Sequence, residues 1–334
     1  MTDRILLRVE DLRVHFKLKH SHLFGPRPTL YAVDGASFEI SRGRTLGLVG
    51  ESGCGKTTSG LAVLRLVEPT GGKVYFDGID LLALEAEVLR TMRRRMQIIF
   101  QDPYSSLNSR QTAGGIVRDP LDIQNIGSRS EREARVSELF HLVGLMPNQK
   151  ALFPHQFSGG QRQRICIARA LALNPDFIVC DEPVSALDVA IQAQILNLLC
   201  KLQDELNLTY LFISHDLAVV QHISDEIAVM YLGNIVEKTD RRQLFKNPLH
   251  PYTRALLSAV PSRDSSKKKS TRIRLKGDIP NPINRPKGCH FHTRCMHAKA
   301  HCKIKEPKLV EKLPGHWVAC HFETSDLNHM EDYL

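Results

Sequence analysis

Residues 45–67, TLGLVGESGCGKTTSGLAVLRLV, constrain this chain more than any other stretch. An apolar run reading as a strand (45–50) leads into GESGCGKT, Gly50–Thr57, which fits the pattern GxxxxGK[ST]. Apolar residues at helical spacing then continue over 57–67. Glycines in such a loop let the backbone curl so that its N–H groups point inward around phosphate oxygens. The helix that follows turns its positive end toward the same anion. Lys56 supplies charge for the outer phosphates, and the Thr57 hydroxyl can bind Mg²⁺. The unit predicts an α/β fold built around a phosphate-wrapping loop, but many chemistries share such a loop.

The first 240 residues continue the alternation of strand and helix. ASFEI (36–40), KVYFDG (73–78), FIVCDE (177–182) and TYLFISH (209–215) read as strands, the last two as buried parallel strands ending in polar residues at an active edge. AIQAQILNLLCKLQDEL (190–206) reads as an amphipathic helix, and IAVMYLGNIVEK (227–238) as a hairpin turning at Gly233 and Asn234. No internal repeat is present, so one nucleotide-binding unit is expected. Beyond residue 240 the texture changes to PLHPY, SSKKKS and IPNPINRP, marking a second, smaller unit (241–334) with a linker near 262–271.

FIVCDE narrows the chemistry. Asp181 at the strand end suits the Mg²⁺ shell, and Glu182 beside it suits polarising an attacking water. Alone, the pair reads equally well as surface charge; a phosphate loop upstream gives it a task.

Two further strings, FSGGQRQR (157–164) and SALD (185–188), flank that acidic pair. With Gln101 and His215, each after an apolar run, they resemble the ATPase cassette of ABC transporters over roughly residues 5–240. The resemblance implies a RecA-like core with an antiparallel β subdomain and a helical subdomain at about 102–160, followed by a small cysteine-containing C-terminal extension. It implies that Gly50, Glu51, Ser52, Gly53, Cys54, Gly55, Lys56, Thr57 and Thr58 hold ATP, with Thr57, Gln101 and Asp181 at Mg²⁺. Glu182 resembles the catalytic base, Gln101 the glutamine sensing Mg²⁺ and water, and His215 the histidine touching the γ-phosphate. Ser158, Gly159, Gly160 and Gln161 resemble the signature that closes over ATP held by a partner cassette, with Asp188 at the same interface. Independently of the resemblance, a serine and two glycines before QRQRICIARALAL make a capped, anion-binding helix start. Phe16 is the expected adenine platform, with Tyr31 the alternative. Cys54 lies inside the loop, so a thiol reagent that reached it would inhibit and ATP would protect.

FQDPYSSLNSR (100–110), EPVSALDVAIQAQILNLL (182–199) and NPLHPYTRALLSAVP (247–261) resemble the ATPase subunits of oligopeptide and dipeptide importers. That resemblance implies a second, non-identical ATPase chain, two transmembrane permease subunits and an extracytoplasmic solute-binding protein, with this chain peripheral on the cytoplasmic face of the inner membrane. Residues 102–157 are then the expected docking surface. The start, MTDRILLRVEDLRVHF, is too acidic for a secretory leader, and no stretch reaches the length of a membrane span.

Of the eight cysteines, Cys289, Cys295, Cys302 and Cys320 fall within 32 residues. Their spacing suggests a four-thiolate metal site with zinc the default, although no close C-x₂₋₄-C pair occurs. The importer resemblance includes the GCxFxxRC pattern of residues 288–295, where it implies a [4Fe–4S] cluster. The net charge of +9 is concentrated in residues 241–320, which hold 19 Lys and Arg against 4 Asp and Glu. Such a segment suits a polyanion, so a nucleic-acid-associated ABC ATPase is the rival reading. The rival usually carries two cassettes per chain and this sequence carries one, so no nucleic acid is expected. A non-hydrolysing regulatory subunit is disfavoured by intact Lys56, Asp181, Glu182 and His215. A nickel chelate or glutathione is the alternative cargo.

Overall fold

The computed structural model describes residues 4–18, 27–260 and 273–322. The expected linker at 262–271 lies outside them. The strands are β1 (Ile5–Lys17), β2 (Thr29–Ser41), β3 (Thr45–Val49), β4 (Gly71–Phe76), β5 (Ile79–Asp80), β6 (Met96–Ile99), β7 (Phe177–Asp181), β8 (Thr209–Ser214), β9 (Glu226–Tyr231), β10 (Asn234–Asp240), β11 (Val310–Leu313) and β12 (His316–Val318). The helices are α1 (Lys56–Val63), α2 (Ala86–Met92), α3 (Ala113–Ile123), α4 (Arg129–Leu142), α5 (Gly159–Leu171), α6 (Val189–Leu206), α7 (Leu217–Ile223), α8 (Arg241–Lys246) and α9 (Pro251–Ser258). They fall into two compact units, each woven from several chain segments.

The unit holding residues 83–213 is built on the parallel strands β6, β7 and β8, with Ile99 opposite Cys180 and Asp181 opposite Ile213. FIVCD and TYLFIS are buried along their whole length, which is why they read as unbroken apolar runs. Helices α3, α4 and α5 pack together around Ile116, Val117, Val136, Leu139, Phe140 and Ile165. Ser128 and Glu131 form a reciprocal capping box at the start of α4.

The other unit carries the described residues of 7–39, 46–82 and 214–322. Its antiparallel sheet runs β2-β1-β4-β5, and a bulge interrupts the β1–β4 register between Glu10 and Arg13. A second sheet brings β3 parallel to β9 and continues antiparallel through β10, β12 and β11. Residues on both sides of position 240 share this sheet, since Glu237 and Lys238 of β10 pair with Val318 and Trp317 of β12.

Two sequence expectations shift locally. The helix expected over 57–67 ends at Val63, because Arg65 takes a left-handed φ of 54° and Leu66 N–H returns to Leu61 O. The hairpin turn is Leu232–Gly233, both at positive φ, rather than Gly233–Asn234. Asn234 instead opens β10, and its side-chain amide meets His290 Nδ1 at 3.2 Å.

Glu237 ties β10 to residues 249–316. Its fully buried carboxylate accepts from Leu249 N–H at 2.7 Å, His250 N–H at 2.9 Å and His316 Nε2 at 2.7 Å. A buried carboxylate persists only with such partners. Glu237→Gln turns one acceptor into a donor facing donors. It is expected to cost about 3 kcal/mol, read as a fall of several degrees in thermal unfolding and faster proteolysis within 241–260. An unchanged melting curve would contradict this role.

Candidate active site

The phosphate loop leaves β3 and enters α1 through Gly55, whose φ is +105°. A Cβ there would stand 2.1 Å from Ala32 O, so only glycine lets the loop pass that backbone. Lys56 is 5% exposed, and its ammonium donates to Gly50 O at 2.8 Å and Glu51 O at 3.1 Å. Gly233 N–H donates to Cys54 O at 2.9 Å, fixing the loop to the β9–β10 turn. Ser52 and Gly53 lie exposed at the tip, and Thr57 and Thr58 belong to the first turn of α1. This backbone suits a polyphosphate, because the start of α1 has no side-chain cap to occupy its N–H groups.

Cys54 is 5% exposed, and burial pushes its thiol above the ordinary range despite the nearby Lys56 charge. The access that a thiol reagent requires is therefore not met. Phe16 is 39% exposed on β1. Tyr31 is already engaged, with the Arg285 guanidinium 4.1 Å over its ring and His15 edge-on at 4.7 Å. Burial pushes Asp34 up, but Arg285 and His15 on its carboxylate outweigh this and hold it below the usual carboxylate range. His215 is exposed between β8 and α7, just ahead of Asp216, which caps that helix by accepting from Ala218 N–H at 2.8 Å.

In the other unit, β7 delivers Asp181, 5% exposed, and then Glu182. Glu182 adopts a left-handed φ of 47°, a conformation costing a non-glycine residue about 1–3 kcal/mol. Its N–H reaches Ile213 O at 3.0 Å, and its Oε2 accepts from Gln101 Nε2 at 2.9 Å. The structure thus joins two residues that the sequence separates by 81 positions.

Ser158 caps α5 by accepting from Gln161 N–H at 3.3 Å, while Gln161 Oε1 accepts from Ser158 N–H at 3.0 Å. Gly160 lets α6 approach, since a Cβ there would lie 2.5 Å from Ile191 Cγ2, and one on Gly159 would lie 3.3 Å from Leu187. Asp188 is exposed and caps α6 through Ile191 N–H at 3.0 Å. Each of these polar residues therefore has a local helix-capping role in addition to any role at an interface.

Cys289, Cys295, Cys302 and Cys320 line one cavity together with Phe291 and Phe322. Yet among the described residues no group of three or more His, Cys, Asp or Glu is arranged to hold a metal ion. Burial pushes the Cys289 thiol to about 12 and the Cys295 thiol to about 11, so a metal binding there would have to displace their protons. The expectation of a formed iron–sulfur or zinc site is not met: the donor types fit, but their arrangement does not.

Residues missed in the sequence complete the phosphate-loop surroundings. Tyr252 Oη accepts from Glu51 N–H at 2.9 Å, and Arg294 forks onto the Glu51 carboxylate at 2.6 and 3.0 Å. Arg294 lies in the GCxFxxRC string, whose cysteines drew the attention, and Tyr252 lies in NPLHPYTRALL.

The ABC transporter family model matches residues 33–185, and that of the oligopeptide/dipeptide transporter C-terminal region matches residues 236–302. The chain is 52% identical to the oligopeptide transport ATP-binding protein AppF of Bacillus subtilis, over 95% of this chain and 97% of that protein. It is 49% identical to the dipeptide transport ATP-binding protein DppF of Haemophilus influenzae, over 94% and 96%. Among solved structures it resembles the ATP-binding cassette MJ0796 in a dimeric post-hydrolysis state bound to ADP and Pi. That match has TM-score 0.63 and 30% identity, covering 71% of this chain and 99% of the other. At about half identity over nearly the whole of these relatives, the chain belongs to the ABC transporter ATPases, in the group of oligopeptide and dipeptide transport ATP-binding proteins.

Proposed function

We propose that this chain hydrolyses MgATP and couples that reaction to peptide import through membrane subunits. The observation that carries the reading is the Gln101–Glu182 contact on the edge of buried strand β7. A hydrogen-bonded carboxylate directly after a buried strand supports Glu182 as the general base for water. Names carried by relatives at about 50% identity, over both the cassette and the C-terminal region, support peptides as cargo.

In this reading the backbone of Gly50–Thr58 and the Lys56 ammonium bind the triphosphate, and Phe16 stacks on the adenine. Thr57, Asp181 and Gln101 would hold Mg²⁺, which would supply positive charge against the charge of the triphosphate. Glu182 takes a proton from water as its oxygen attacks the γ-phosphorus; the bond to the β–γ bridging oxygen breaks, and ADP and phosphate result. His215 orients the γ-phosphate. Ser158, Gly159, Gly160, Gln161 and Asp188 close on ATP bound by a second cassette, so closure waits on two nucleotides. Opening and closing would bias two states of a channel formed by two permease subunits, fed by a solute-binding protein. Among the described residues, no helix is long and apolar enough to cross a membrane. Work at the cytoplasmic membrane face therefore requires those partners. A non-identical second cassette is the form of partner that the importer resemblance favours.

In the same reading the four cysteines are the candidate ligands of an iron–sulfur or zinc group, which would need a sulfur arrangement other than the one seen. Their convergence on one cavity supports this.

Two measurements test the proposal. Glu182→Gln is expected to lower phosphate release at least 100-fold while ATP affinity stays within about threefold; unchanged hydrolysis would assign the base elsewhere. Anaerobic purification with metal and sulfide analysis decides the cysteine question. A brown, iron- and sulfide-containing sample supports the cluster, a colourless zinc-bound one supports zinc, and a metal-free folded sample leaves four thiols.

A further inference from the structure

We propose that Arg294 is a positioning residue of the nucleotide site, neutralising and orienting Glu51 so that the phosphate loop can accept a polyanion. This rests on the ATP-binding reading above. Glu51 is the second residue of that loop, and a carboxylate there opposes a triphosphate. At an effective dielectric near 20, one uncompensated charge about 12 Å from a like unit charge weakens binding by roughly tenfold, and more at shorter range.

The compensation is built into the fold. Arg294 Nη1 and Nη2 reach Glu51 Oε2 at 2.6 Å and Oε1 at 3.0 Å, a planar two-pronged pairing that arginine provides and lysine does not. Arg294 is 9% exposed, and Glu51 keeps its guanidinium charge firmly in place, above the ordinary arginine range. The turn that presents it is closed by Arg294 N–H and Cys295 N–H, both donating to Phe291 O. Phe291 in turn packs edge-on to Tyr231 at 5.2 Å and against Tyr252 at 5.5 Å.

Glu51 is also held at its backbone. Its N–H donates to Tyr252 Oη, and its carbonyl accepts from Cys54 N–H at 3.3 Å and Lys56 Nζ at 3.1 Å. Fixing the carboxylate and the N–H sets the tilt of a residue whose carbonyl steers the phosphate-binding lysine. The C-terminal residues thus reach nucleotide affinity without touching the nucleotide.

The test is the affinity of the full-length chain for MgATP, read by displacement of a fluorescent ATP analogue, with thermal unfolding as the check on folding. Arg294→Met is expected to weaken binding about tenfold. Adding Glu51→Gln to Arg294→Met is expected to recover most of that loss, a rescue that a purely structural role would not produce. Arg294→Lys should fall between, keeping the charge and losing the fork. A folded Arg294→Met protein with wild-type affinity, or a double variant no better than the single, would overturn the proposal. Should Arg294→Met fail to fold, Arg294→Lys with and without Glu51→Gln makes the same comparison: weakened binding restored by the second change supports the proposal, and wild-type affinity overturns it. Wild-type protein that binds no ATP would instead defeat the underlying reading and this proposal with it.

Discussion

The phosphate loop depends on backbone passing backbone at a distance that no side chain tolerates. A Cβ on Gly55 would meet Ala32 O at 2.1 Å, and one on Gly50 would meet Met230 O at 2.2 Å. These contacts tie the loop to β2 and to the end of β9, so its curvature is imposed from both flanks rather than chosen locally. The hydrogen bond from Gly233 to Cys54 O adds a third anchor, and Arg294 with Tyr252 adds a fourth. A loop bound at this many points loses little entropy when an anion arrives, which is how preorganised donors gain their strength.

The acidic end of β7 uses the opposite device. There the chain stores strain, with Glu182 in a left-handed conformation, and holds it through Ile213 O and Gln101. Strain at one residue is affordable because β7 and β8 are buried throughout and fix the backbone on either side. Gln101 lies on the exposed segment after β6, so the carboxylate has a rigid base and a partner on a more mobile kind of element.

Much of this was legible in the sequence because the signals are local. GESGCGKT as a motif, β7 and β8 as unbroken apolar runs and α6 by its amphipathic spacing each carry a signal within their own span, and the structure has a loop, two strands and a helix there. The misses are tertiary. The end of α1 at Val63 depends on Arg65 turning left-handed, and the hairpin turn falls on Leu232, a residue whose composition argues against a turn. Nothing near Glu237 in sequence announces that His316 and the N–H groups of Leu249 and His250 will meet it, nor that Arg294 will meet Glu51 across 243 residues. The cysteines show the converse limit: spacing brought four sulfurs to one cavity, but spacing does not set the bonding distances a metal demands.

Phosphate release by the chain assembled with its membrane subunits and a second cassette, followed with and without Mg²⁺, tests the central claim most directly. The account predicts turnover that requires Mg²⁺ and disappears when either cassette is withheld. An assembly that retains ATP for as long as it is watched, with no phosphate set free in the presence of Mg²⁺, would contradict it.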